Sequence, residues 1–137
     1  MKKKNITINN TSLNELCKDI HCWAQEKGFW DYNINTDEHL IFAQKNALIH
    51  SEISESLEAD RKNRHADLEK FDSNALTDVT FNDNFKMYIK DTVEDELADA
   101  IIRILDWCGY MNIDIERHIK EKMKFNNIRE RRHGKEY

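Results

Sequence analysis

The chain has 137 residues, 21 Lys plus Arg against 26 Asp plus Glu, a formal net charge of −5, and 34% charged residues. With no Pro and only three Gly (Gly28, Gly109, Gly134), it cannot encode a turn-rich all-β fold, a phosphate-cradling P-loop or a GxGxxG fingerprint. The acidic balance argues against general nucleic-acid binding, and no apolar run approaches the ~20 residues of a membrane span.

Residues 1–10 are expected to be flexible. Ser12 then opens a capping box with Glu15, and Leu13, Leu16, Cys17, Ile20 and Ala24 recur at helical spacing. Gly28 is placed to end that helix as its C′ residue. Trp23, Phe29, Trp30 and Tyr32 make the following stretch aromatic. A second helix is expected over about 37–63. The polar, Asn/Asp-rich residues 64–90, with sparse Leu68, Phe71, Phe81 and Phe85, read as a long connection holding one or two short helices.

A third helix over about 92–110 carries Val93, Leu97, Ala100, Ile101, Ile104, Leu105 and Cys108 as its apolar stripe. A fourth starts after an Asp114 cap, carries Ile115, Ile119 and Met123 as a buried line, and fades near Asn127 into a basic tail over 128–137. The expected architecture is one all-α domain spanning 1–137, four-helix-bundle-like with short additional helices. So polar a chain should cover its remaining apolar stripe with another subunit, as a homodimer or a dimer of dimers. Cys17, Cys22 and Cys108 form no CxxC pair and read as free thiols packed like small hydrophobes. The N-terminal lysines have no hydrophobic region behind them, so a cytoplasmic location is expected.

The informative residues are carboxylates standing where hydrophobes belong. On a wheel of the second helix, Ile41, Leu48, Glu52, Glu55 and Ala59 share a narrow strip. On the third, Glu96 and Asp99 flank the apolar stripe. A single E-x-x-E most often marks a solvated face. Two such pairs on apolar faces shift the balance, because four converging carboxylates repel one another in a low-dielectric interior. A hard divalent cation with oxygen ligands relieves that repulsion, and Mg²⁺ (with Mn²⁺ as a substitute) bridges readily to phosphates. A di-iron centre is disfavoured, since neither Glu52 nor Glu96 is followed by His three residues on.

These motifs, Glu52-Ile53-Ser54-Glu55 and Glu96-Leu97-Ala98-Asp99, and the tail KMKFNNIRERRHGKEY resemble the all-α NTP pyrophosphohydrolase superfamily, in particular its MazG-like branch. The resemblance runs from about residue 16 to 137 and is weakest over 62–90. It departs from the family in its long connection and in Glu130 where a Pro often stands. It implies Mg²⁺-dependent hydrolysis of a nucleoside triphosphate to the monophosphate and pyrophosphate, a nucleotide-pool house-cleaning role. Glu52, Glu55, Glu96 and Asp99 would hold metal, with Glu52 or Glu55 orienting the attacking water.

Lys124 and Asn127 on the fourth helix would contact phosphate, although a Lys in a last turn also complements the helix dipole. Arg132 and Lys135, with Arg129, Arg131 and His133, either close over the triphosphate or form a solvated tail. Trp23 and Trp30, beside Phe29, are candidates to stack on the base, with His39 and Tyr110 as weaker ones. Two other functions stay open: a non-catalytic helical interaction protein, and a pyrophosphohydrolase of a phosphoribosyl compound.

Overall fold

The computed structural model describes residues 11–33, 35–74 and 77–129. Among them it forms six helices and no strand: α1 (Leu13–Glu26), α2 (Glu38–Arg61), α3 (Leu68–Asn74), α4 (Asp78–Tyr88), α5 (Val93–Tyr110) and α6 (Ile115–Ile128). The all-α reading holds, with four long helices near the expected bounds and two short ones in the polar connection. Local chemistry sets the ends. Ser12 and Glu15 make a reciprocal capping box at α1, while the Asp37 and Asp114 side chains cap α2 and α6. Gly28 takes φ +80 just beyond α1, a conformation that a side chain disfavours.

The chain divides into two compact units, one built from residues up to 31 and from 105 onward, the other from 32–104. The boundary falls inside α5, between Ile104 and Leu105.

In the first unit α1 packs on α6, and Cys17, Ile20, Ala24, Leu105 and Cys108 are buried. The Asn14 amide donates to Asp114 at 2.7 Å, and the Leu13 N–H donates to Glu116 at 3.0 Å. The closest approach is at Gly109, where a Cβ would lie 2.3 Å from the Cys17 carbonyl oxygen, so only glycine fits. Burial pushes the Cys17 thiol up to about 11, keeping it an inert hydrophobe. Cys22, expected to pack in the core, is exposed. The Ile119 and Met123 line on α6, expected to be buried, is also exposed.

In the second unit α2 buries Ile41, Lys45, Glu52, Ser56 and Ala59. That arc spans roughly 60° of the helix at 100° per residue and lies to one side of the expected strip. Leu48 and Glu55 fall on its outer flank and are exposed. The apolar residues Ile53 and Leu57 point outward, as do Leu97, Ile101 and Ile104 on α5. Each helix thus buries one acid in this unit, Glu52 or Glu96, and leaves several large hydrophobes exposed.

Between α2 and α5, helices α3 and α4 pack as a hairpin around Phe71, Phe81 and Phe85, with ring centroids 5.5–6.3 Å apart. The hairpin closes at its base, where the Asp67 N–H donates to the Tyr88 carbonyl at 2.9 Å. The preceding strap ties to the start of α5. Val93 N–H donates to the Arg64 carbonyl, and Ala66 N–H donates to Glu94 Oε2.

Candidate metal centre

Glu52 comes from the middle of α2, and Glu96 and Asp99 come from the first turns of α5. Thr92 accepts a hydrogen bond from the Asp95 N–H through Oγ1, which fixes the start of α5 and the register of the two acids that follow. One oxygen from each of Glu52, Glu96 and Asp99 lies within 4.8 Å of the others. Oxygens around one octahedral Mg²⁺ sit roughly 3–4 Å apart, so a small rotamer adjustment closes the three onto a single ion. All three donors are hard oxygens, the type that Mg²⁺ and Mn²⁺ prefer.

Glu52 is 7% exposed and Glu96 6%. The Glu96 carboxyl is pushed up to about 7, first by burial, then by the charge of Glu55 and by its contact with the Glu52 carboxyl. No described residue donates a hydrogen bond to it; its partner is another acid. Asp99, at the exposed lip, is also raised, by burial of its carboxyl and by Asp95 and Glu52, while Arg103 pulls it the other way. Arg103 donates Nε–H to Glu52 Oε1 at 2.6 Å. A cleft of about 140 Å³ leads from Glu96 and Glu55 to Lys62 and Arg64.

The remaining candidates are more scattered. Glu55 is exposed and accepts the Ser51 hydroxyl at 2.8 Å, so it borders the three-acid group without an oxygen among the clustered ones. Lys124 and Asn127 belong to the first unit, where with Leu13, Ile119 and Met123 they line an open groove of about 520 Å³. Trp23 packs on Phe29 at 5.8 Å. Trp30 donates its indole N–H to both oxygens of Asp106, at 2.9 and 3.1 Å, and stacks on Tyr110 at 4.4 Å. Its polar edge and one face are therefore engaged inside the first unit. Arg132 and Lys135 lie outside the described residues.

Two groups were missed by sequence reasoning. Arg103 stands four residues after Asp99 and seven after Glu96, on the acidic side of α5, and that spacing was a usable signal. The Asp106 cluster, in which His21 Nδ1 also meets Asp106 Oδ1 at 2.8 Å, had no such signal. No known protein-family model, curated protein or solved structure matches the chain.

Proposed function

We propose that the protein is a Mg²⁺-dependent nucleoside triphosphate pyrophosphohydrolase of the MazG-like kind, a four-helix-bundle enzyme acting in nucleotide-pool control. The observation that carries this reading is the convergence of Glu52, Glu96 and Asp99, two of them buried and one of those without a hydrogen-bond donor. An acid buried without a donor is costly in its ionised form unless a cation completes its surroundings. Bound there, Mg²⁺ or Mn²⁺ supplies charge neutralisation of the triphosphate and a water of lowered pKa.

The chain's own residues do the rest. Glu52, Glu96 and Asp99 hold the ion. Glu55, exposed beside Glu96 and oriented by Ser51, accepts the proton of the attacking water. Lys62 and Arg64, the latter paired with Asp91 at 3.6 Å, are the cations among the acids that line the cleft, where departing pyrophosphate needs positive charge. Water adds at the phosphorus, the bond to pyrophosphate breaks, and the products are monophosphate and pyrophosphate. The test is a panel of nucleoside triphosphates with pyrophosphate detection, with Mg²⁺ and with EDTA. Metal-dependent release that Glu52→Gln and Glu96→Gln each reduce by about a hundredfold supports the reading. Absence of release from every nucleotide overturns it.

The same reading makes the protein a homodimer or a dimer of dimers. Its support is the outward-facing set Ile53, Leu57, Leu97, Ile101 and Ile104, more apolar surface than two short helical segments normally leave in water. Light scattering at micromolar concentration should give at least twice the 16.4 kDa chain mass. Ile101→Asp should shift that mass toward the monomer, and a monomeric wild type refutes the assembly.

A further inference from the structure

Arg103 is the one described cation hydrogen-bonded to a member of the three-acid group, and its bond to Glu52 is short. Its partner is the acid on α2, so the guanidinium ties α5 to α2 through the same carboxylate a metal would use. Glu52 is nearly enclosed, with its side chain 9% exposed, whereas the Arg103 side chain is 35% exposed. One end of the pair is enclosed and the other opens to solvent. Arg103 also acts favourably on Asp99, one turn before it on α5. At Glu96, by contrast, burial and the acids Glu55, Glu52 and Asp95 dominate. A group of three acids with one resident positive charge is partly compensated before any ion arrives.

A divalent ion approaching this group alone meets two obstacles. It must compete with the guanidinium for Glu52, and it must accept a positive charge within a few ångströms. A triphosphate removes both, because its oxygens neutralise the ion and offer the guanidinium fork an alternative anionic partner. We propose that Arg103 is a resident counter-cation of the carboxylate site, holding Glu52 until a divalent ion arrives together with a phosphate chain. Metal loading is thereby coupled to substrate, and between turnovers the site keeps the partial compensation that Arg103 gives Glu52. This inference rests on the metal-centre reading above.

The experiment measures Mn²⁺ binding by the loss of the free-ion EPR signal. It compares wild type, Arg103→Met, Arg103→Gln and Arg103→Lys, each with and without a triphosphate analogue carrying a non-hydrolysable α,β bridge. Circular dichroism first confirms that each variant is helical, and the Gln variant keeps a donor for Glu52 if the Met variant does not fold. Removing the charge should tighten Mn²⁺ binding in the absence of analogue by roughly tenfold or more. Arg103→Lys should stay near wild type, and the analogue should tighten Mn²⁺ binding more in wild type than in the charge-removed variants. Equal or weaker Mn²⁺ binding by both Arg103→Met and Arg103→Gln overturns the inference, since Arg103 would then only orient Glu52. Failure of every protein to bind Mn²⁺, with analogue or without, overturns the metal centre itself. Glu96→Gln separates the cases, because it loses Mn²⁺ binding wherever the metal centre is real.

Discussion

Asp106 and Glu96 are buried almost equally, at 5% and 6% exposure, and sit ten residues apart on the same helix. Their surroundings are opposite. In the first unit Asp106 accepts from the Trp30 indole and meets the His21 ring, and Trp30 in turn stacks on Tyr110. In the second unit Glu96 faces Glu52 and Glu55, and the nearby guanidinium bonds to Glu52 instead. A buried acid surrounded by donors holds elements together. One surrounded by acids is stable only when protonated or when a cation joins it. The large residues of the α5 apolar stripe divide in the same way, since Leu105 and Cys108 are buried in the first unit and Leu97, Ile101 and Ile104 are exposed in the second, where Ala100 is buried.

The sharpest way to break this contrast is to remove each acid and measure unfolding by denaturant in EDTA. Asp106→Ala should cost about 2–4 kcal/mol, because it strands the Trp30 and His21 nitrogens in a part-buried cluster. Glu96→Gln should leave stability unchanged or higher, because it removes a charge that the fold does not compensate. Equal losses at both positions would show that Glu96 is as structural as Asp106.

A somewhat smaller effect follows from pH. The folded protein keeps the Glu96 proton up to about 7, whereas the unfolded chain releases it near the ordinary value of 4.5. The native state therefore binds the extra proton in that window, and stability without metal falls as pH rises from 4.5 to 7, by up to about 3 kcal/mol. Asp99, raised in the same direction, adds to the slope. Thermal melts in EDTA from pH 5 to pH 8 should show this decline, and Glu96→Gln should flatten most of it. Stabilisation by Mg²⁺ should run the other way and grow through pH 7 as the competing proton leaves. A wild-type profile as flat as that of Glu96→Gln would remove the ground for treating Glu96 as uncompensated.

The smallest effect asks whether the first unit takes part in chemistry at all. If Lys124 makes the phosphate contact that the MazG-like resemblance implies, Lys124→Ala should lower pyrophosphate release by about ten- to a hundredfold with little change in melting temperature. Unchanged turnover would leave Lys124 as a complement to the α6 dipole and confine catalysis to the second unit.

What was legible in the sequence was local. Ser12 with Glu15, Asp37, Asp114 and Gly28 set helix ends within a few residues of themselves, and their chemistry needs no distant partner. The three-residue spacing of acids placed Glu96 and Asp99 on one side of α5, but it put Glu55 beside Glu52 on the strip of α2, and of those two acids only Glu52 is buried. Periodicity could not reveal what covers a stripe, and so it assigned Leu97, Ile101 and Met123 to a core they do not join, while the apolar character of a thiol misplaced Cys22. Nor could spacing link Trp30 and His21 to Asp106, 76 and 85 residues away. Trp30 looked like a free stacking surface for that reason.

The clasp between Asp67 and Tyr88 bears on how the second unit assembles in time. Helices α2 and α5 end and begin about thirty residues apart, and bringing them together requires closing that whole stretch of chain. Once the α3–α4 hairpin has zipped through contacts close in sequence, the span left to close is about ten residues. The saving in closure entropy is roughly 1 kcal/mol. The least patterned segment of the chain thus acts as a folding-time shortcut, drawing the two acid-bearing helices together before any ion is present to favour their meeting.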